Sequence, residues 1–286
     1  GGLRRGRRED DGDDDREEDD RARRGEGPSP LRPFHQGDLA RGGGHRVVLE
    51  GGVEDTPELV EARLQAPRAL WDSTYNEDSW IAKSLGSNAI RLIPRLRAII
   101  ERTAPDTGIS FSEWSFGGSK HPSGALATAD TLGVFGREGV QLAAHWLVDG
   151  ASPWISAGFR AFRNFDGQGA SFGECALWTD VDDRSAISAY GGQSLDGTTT
   201  LVLINKVDAS VSLELAVGRA GAASSSKPSP CGTATPMRAF ERGTAYEMAG
   251  EVGPGYRRVD DVVRNAADGV VKMTLAPWSI RVVVWK

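Results

Sequence analysis

The chain has 286 residues, enough to bury a substantial core in one large or two medium domains. A formal net charge of −6 excludes the polycationic surface of a nucleic-acid binder, and no apolar run approaches the ~20 residues that span a bilayer. Nucleic acid and membrane are therefore not expected partners. Cys175 and Cys231 are too few for a disulfide framework or a thiolate zinc site; two free, buried thiols are the default expectation, and their pairing with each other is the alternative.

The first thirty residues hold eight Arg against eleven acidic residues, and only Leu3 and Ala22 are apolar beyond glycine and proline. Such a segment cannot bury enough surface to offset its ordering entropy. Residues 31–52 add only the run Val47-Val48-Leu49, so a disordered, unpatterned segment is expected over 1–52. Asp55-Thr56-Pro57-Glu58 then reads as a helix start, followed by Leu59, Val60 and Leu64. Residues 69–83, ALWDSTYNEDSWIAK, read as a loop in which Trp71, Tyr75 and Trp80 sit among polar residues. Each ring there either packs or stacks on a ligand; Trp80 is expected to pack and Trp71 to face a ligand.

Pro94 opens a second helix with Leu96, Ile99 and Ile100 on one side, and Pro105 ends it. Next, Ile109 and Phe111 alternate with Ser110 and Ser112, the period of a strand. Glu113 stands at its carboxyl end, ahead of Trp114, Phe116 and the pair Gly117-Gly118. Residues 124–139 form a small-residue helix with Leu126, Ala129, Leu132 and Phe135 inward, and 141–148 form a strand with Trp146 near its end. Helix, strand, helix, strand at short spacing is the rhythm of a parallel sheet.

Beyond Trp154 come short β-rich runs at 155–165, 174–181, 186–191, 198–206, 211–217, 236–240, 269–277 and 279–286, which read as an antiparallel sandwich. Residues 221–230, GAASSSKPSP, read as a flexible surface loop within it.

The four histidines make no metal constellation, no serine stands in a nucleophile elbow, and the glycines of FGGSKHPSG do not follow phosphate-loop spacing. Asp166-Gly-Gln-Gly and Asp180-Val-Asp-Asp read as turns before calcium loops. No metal or cofactor is expected. A carboxylate at a strand's carboxyl end among aromatic rings suits sugar cleavage, because rings stack on apolar sugar faces and the carboxylate attacks the anomeric carbon. The alternative is an acid that merely opens a loop. His121 either hydrogen-bonds a sugar or caps the following helix.

The run ISFSEWSFGGSKHPSGALATADTLGVFGREGV, with ALWDSTYNEDSWI before it and FRAFRNFDGQGASFGE after it, resembles glycoside hydrolase family 44, a family of endoglucanases and xyloglucanases. The resemblance implies an α/β plus all-β chain: the C-terminal portion of a TIM-like (β/α)8 barrel at 53–154, then an antiparallel β-sandwich at 155–286. It further implies a retaining, extracellular endo-β-1,4-glucanase acting on plant cell-wall β-glucan. Glu113 would be the nucleophile, and Trp71, Tyr75, Trp114, His121 and Trp146 would line the glucan cleft. The family's acid/base glutamate, in an Asn-Glu-Pro segment of an earlier barrel strand, has no counterpart in these 286 residues. Only the last two barrel strands can be placed, so the expectation is a truncated or frame-shifted chain. A non-catalytic glucan-binding remnant is the alternative.

Overall fold

Proline and short polar side chains set the helix starts. The computed structural model describes residues 55–86, 88–146, 152–216, 241–265 and 270–286; the charged segment expected to be disordered, and the runs at 221–230 and 236–240, lie outside these. Thr56 caps α1 (Pro57–Gln65), its hydroxyl accepting from the Leu59 amide at 3.4 Å with proline at the first helical position. A 3-10 turn, Ala66–Leu70, and a five-residue α2 (Trp80–Ser84) interrupt what reads as loop in the sequence. The second expected helix, α3 (Leu92–Thr103), starts two residues before Pro94 and ends before Pro105; the buried pair Leu92-Ile93 supplies its first turn.

Strand β1 (Ser110–Trp114), helix α4 (Pro122–Glu138) and strand β2 (Leu142–His145) form the expected crossover, with β1 and β2 pairing in parallel. Gly139, at φ 67°, ends α4 in the left-handed conformation that glycine adopts without strain. Residues 155–165 were expected as β, but Pro153–Arg160 is a helix, α5. Its start signal outweighs the mixed apolar pattern: Ser152 accepts from the Ile155 amide at 3.2 Å and Pro153 opens the first turn. Its neighbour α4 fixes the packing, since a Cβ on Gly158 would lie 2.6 Å from Thr128. The division expected between 154 and 155 falls inside this helix.

The remaining strands are β3 (Cys175–Leu177), β4 (Ile187–Gln193), β5 (Thr199–Asn205), β6 (Val211–Ala216), β7 (Arg242–Ala249), β8 (Gly253–Val263), β9 (Val270–Leu275) and β10 (Ser279–Trp285). Six form an antiparallel sheet in the order β3-β4-β5-β10-β7-β8, and β6 pairs with β9 as a second antiparallel sheet. The alternation of Val211 to Leu215 is that of a half-exposed strand, as read. Strands β7 and β8 are not apparent in the sequence. β8 is an edge strand, so it carries Pro254 and the charges Arg257, Arg258, Asp260 and Asp261, which block further pairing.

The larger sheet is covered on both faces. Ile187, Leu201, Leu203, Val283 and Trp285 pack with Val271, Met273 and Leu275 of the β6–β9 pair. On the other face, Tyr190, Val202, Ile204, Met248, Ile280 and Val282 share a core with Leu126, Ala129, Val134 and Phe135 of α4. Hence every residue of β5 is buried, where a one-faced strand would alternate. Cys175 carries a disulfide, correcting the expected free thiol; Cys231 lies outside the described residues. Two cysteines far apart in sequence give no spacing that would announce a bridge.

A polar pin fastens α4 to this sheet. Asp130 is 2% exposed, accepts from the Tyr190 hydroxyl at 2.5 Å and lies 3.6 Å from Lys206, which also donates to the Arg184 carbonyl at 2.6 Å. A Cβ at Gly133 would come within 2.3 Å of the Tyr190 ring, so the helix must present glycine there. On the opposite side of α4, Phe135 stacks on Phe111 at 4.9 Å and meets Trp114 edge-on at 5.4 Å, and His145 lies 4.6 Å from Trp114. Both ring nitrogens of His145 are buried without a hydrogen-bond partner, and burial lowers its pKa.

Two outcomes are expected. Asp130→Ala leaves Lys206 a buried, uncompensated cation and should lower stability by about 3–5 kcal/mol in urea titrations, against about 1–3 kcal/mol for Tyr190→Phe. Equal small losses in both variants would show that the pin contributes little. For His145 the native fold disfavours the proton that the unfolded chain accepts near pH ~6.5. Its contribution is therefore complete above that pH and lost as the pH falls through the lower folded value. His145→Phe should flatten the stability profile between pH 7 and pH 5, to be read as urea midpoints at each pH.

Candidate active site

The expected carboxylate owes its orientation to one extra residue. Phe111 pairs with Ala143 and Trp114 with His145, so Ser112 and Glu113 together oppose Ala144 alone. This is a β-bulge, the device that re-aims a side chain at a barrel rim or beside a site. Under strict alternation Phe111 and Trp114 would point to opposite faces, yet both rings touch Phe135 of α4. The bulge lets both rings reach the helix from positions of opposite parity, with Glu113 half-buried just before Trp114. The sequence contains a signal for this that alternation alone passes over: the apolar positions switch parity between Phe111 and Trp114.

Glu113 is half-buried at the carboxyl end of β1. Trp146, at the carboxyl end of the parallel β2, is 50% exposed and donates its amide to the Trp114 carbonyl at 2.9 Å. The structure thus brings Glu113 and Trp146 to the same end of the same strand pair. The loop after β1 turns on Gly117 and Gly118, at φ 72° and 74°. Arg63 of α1 holds it, donating from Nε to the Phe116 carbonyl at 3.1 Å and from Nη1 to the Ser123 hydroxyl at 2.6 Å, while pairing with Asp55 at 2.8 Å. A Cβ on Gly118 would meet Arg63 at 2.9 Å, and one on Gly124 would meet the Gly118 carbonyl at 2.1 Å, so both must be glycine for the loop to close on α4.

His121 caps α4: Nδ1 accepts from the Ser123 amide at 3.1 Å, and the ring meets Trp278 edge-on at 5.1 Å. Of the two readings open for it in the sequence, capping is the one with contacts. Burial lowers its pKa, Arg63 adds to this, and Asp55 and Asp208 oppose it.

Three expected cleft residues sit elsewhere. Trp114 is 1% exposed, enclosed by Phe135, His145 and Phe159, so it has no face left for a sugar. The bulge is what brings its ring onto α4. Trp71 lies under the guanidinium of Arg137, 3.7 Å from its centroid, with Arg184 at 5.2 Å, and lines a small pocket with Asp130, Asp180 and Tyr190. Its ring is already taken by cation–π contact. Tyr75 is half-buried with Arg68 4.9 Å from its ring, and burial beside Glu77 pushes its hydroxyl up to about 12. Conversely Trp80, expected to pack, is 45% exposed. Glu77, missed in the sequence, has a buried Oε1 without a partner, and burial raises its pKa.

Among the described residues no group of three or more His, Cys, Asp or Glu is placed to hold a metal ion, and no helix is long and apolar enough to cross a membrane.

No family profile matches the chain. It is 40% identical over 166 residues to endoglucanase A of Paenibacillus lautus, covering 58% of the chain and 23% of that protein. It is 37% identical over 180 residues to the β-mannanase/endoglucanase A of Caldicellulosiruptor saccharolyticus, covering 58% of the chain and 13% of that protein. Among solved structures, the family 44 endoglucanase Cel44A of Clostridium thermocellum superposes with a TM-score of 0.74 at 29% identity, covering 87% of this chain and 45% of the other. A family 44 xyloglucanase of Paenibacillus polymyxa gives 0.73 at 26% identity, covering 86% and 44%. The chain spans less than half the length of any of these four proteins. The chain is thus similar in sequence to curated endoglucanases and in structure to solved family 44 glycoside hydrolases.

Proposed function

We propose that the chain is the nucleophile-bearing C-terminal part of a retaining endo-β-1,4-glucanase, with Glu113 attacking the anomeric carbon and Trp146 offering a platform to a glucan ring. What supports this is the bulge: an inserted residue at the end of β1 lets Phe111 and Trp114 both pack on α4, and Glu113 stands at that strand end, where an exposed tryptophan is also found. The parallel β1-α4-β2 unit is read as the last part of a (β/α)8 barrel, supported by the relation to family 44 structures. Plant cell-wall β-glucan is the proposed substrate, from the endoglucanase and xyloglucanase names of the relatives. An extracellular location is proposed as well, and the disulfide at Cys175 fits an oxidising compartment.

Retaining hydrolysis needs a second carboxyl about 5 Å from the first to protonate the leaving oxygen. The sequence holds no Asn-Glu-Pro segment to supply it. A non-catalytic glucan-binding chain is therefore the second reading, favoured by that same feature.

The two readings separate on a substrate that needs no acid. A 2,4-dinitrophenyl 2-deoxy-2-fluoro-β-cellobioside has a leaving group that departs unprotonated, and its glycosyl-enzyme persists. Mass spectrometry should find one covalent sugar on the peptide holding Glu113, and none in Glu113→Gln. An unlabelled chain that still binds cello-oligosaccharides would establish the non-catalytic reading. On carboxymethyl cellulose the 286-residue chain should release no more reducing sugar than Glu113→Gln, because it forgoes the ~10² to 10⁴-fold contribution of proton transfer. Turnover above that control would reveal an acid among residues not assigned here.

A further inference from the structure

We propose that Arg63 is a positioning residue of the site: it holds the loop that follows Glu113 and, with Ser123, seats His121 as an Nε2–H donor. The functional meaning rests on Glu113 being the site's carboxylate; the geometry does not.

Arg63 is 8% exposed and engages three groups at once. Its Nε donates to the Phe116 carbonyl, three residues beyond Glu113, and its Nη1 reaches both the Ser123 hydroxyl and Asp55. Because Arg63 donates to the Ser123 oxygen, the hydroxyl proton is free to point elsewhere, and His121 Nδ1 lies 2.9 Å away. The Ser123 amide also points at Nδ1, at 3.1 Å. A proton on Nδ1 would face that amide proton head-on. The hydrogen-bond pattern therefore assigns Nδ1 as acceptor and places the ring proton on Nε2. The imidazole becomes a donor toward an acceptor oxygen such as a sugar hydroxyl, while its ring is steadied by Trp278, a residue in left-handed conformation at φ 40° in the turn between β9 and β10. The charged groups acting on His121 are Asp55, Arg63 and Asp208, so the arginine is the cation that balances two carboxylates.

No other residue type supplies this. Lysine can meet Asp55 but cannot donate in two fixed directions to the Phe116 carbonyl and the Ser123 hydroxyl. The two left-handed glycines make the approach possible, since Gly118 has room for Arg63 only without a Cβ.

The test uses nitrogen NMR of the imidazole and amide hydrogen exchange in the full chain. In wild type His121 should show the Nε2–H tautomer, and the amides of Gly117 and His121, bonded to the Ser115 hydroxyl and the Gly118 carbonyl, should be protected. Arg63→Met should raise the His121 titration midpoint, because a nearby cation is lost, and speed exchange of those amides about 10-fold or more. Arg63→Lys should not restore protection. If the Arg63 variants fail to fold, Ser123→Ala, which keeps the Arg63–Asp55 pair and the backbone amide facing Nδ1, should retain the Nε2–H tautomer and raise the His121 titration midpoint, because the hydroxyl bond to the neutral ring is lost. An Nδ1–H tautomer in wild type, or unchanged titration and exchange in Arg63→Met, overturns the proposal. Glu113→Gln should leave all these readouts unaltered, so failure of the nucleophile assignment and failure of this one are separately visible.

Discussion

Helix α4 has almost no solvent face, and the rest of the described structure is arranged around that constraint. From Ser123 to Phe135 only Leu132 is other than buried. One side meets the aromatic residues of β1 and β2, a second meets α5, and a third meets the six-stranded sheet through Asp130, Gly133 and Tyr190. Each such approach requires a residue that is a poor helix former. Gly124 and Gly133 each cost the helix roughly 1 kcal/mol relative to alanine, which tertiary packing must offset. Buried so completely, α4 cannot shift without disturbing the sheet, so its N-terminal end is a fixed point from which the loop after Glu113 is hung.

This arrangement explains why α4 holds a buried charge pair where an apolar contact would suffice for adhesion. An Asp130–Lys206 pair with the Tyr190 hydroxyl does not gain much net free energy over packed apolar groups. It does penalise any sliding of the helix along the sheet, because a displaced helix would leave a carboxylate and an ammonium unpaired in a dry interface. The loop holding Trp71 is tied down in the same idiom. Burial would raise the Asp72 pKa, yet bonds from Thr74 and Arg68 hold it below the usual carboxylate range, and Arg184 lies at 3.8 Å. In so charged a setting an indole is a flat surface for guanidinium groups before it is one for sugar, and Trp71 meets Arg137 and Arg184, both distant in sequence, while Trp80 is 45% exposed.

Much of the fold is legible in the sequence where chemistry is local. Thr56-Pro57, Gly139 and the strand-helix-strand spacing from 108 to 146 act within a few residues, and their elements appear where expected. What escapes reading depends on partners distant in sequence. Residues 155–165 carry enough aromatic and apolar side chains for a strand, and the start signal that makes Pro153–Arg160 a helix lies just ahead of them, while the close approach to Thr128 that requires glycine at 158 is set by a distant partner. β8 has the charges and proline of a loop because it is an edge strand, a property only the assembled sheet confers. Glu113 and Trp146 stand at strand ends, which are local features, and the structure puts them at the same end of the β1–β2 pair. The surroundings of Trp71, Tyr75 and Trp114 are not legible, because whether a ring is a platform or a wedge depends on what lies against it.

The bulge draws these points together. A strand ending in a core-facing aromatic and a carboxylate has to place them on opposite sides, and neighbouring residues do so automatically. The difficulty lies one turn of the pleat earlier: Phe111 also has to reach Phe135, and three residues separate it from Trp114. Without the extra residue one of the two rings would point away from α4, and anchoring Phe111 would pull Glu113 into the aromatic layer beside it. A carboxylate there would meet Phe135 and His145 in place of solvent, at the several-kcal/mol cost of an unpaired buried charge. One inserted residue removes the conflict, and the same insertion sets the Trp114 carbonyl where it accepts from the Trp146 amide, fixing the exposed ring's backbone beside the carboxylate.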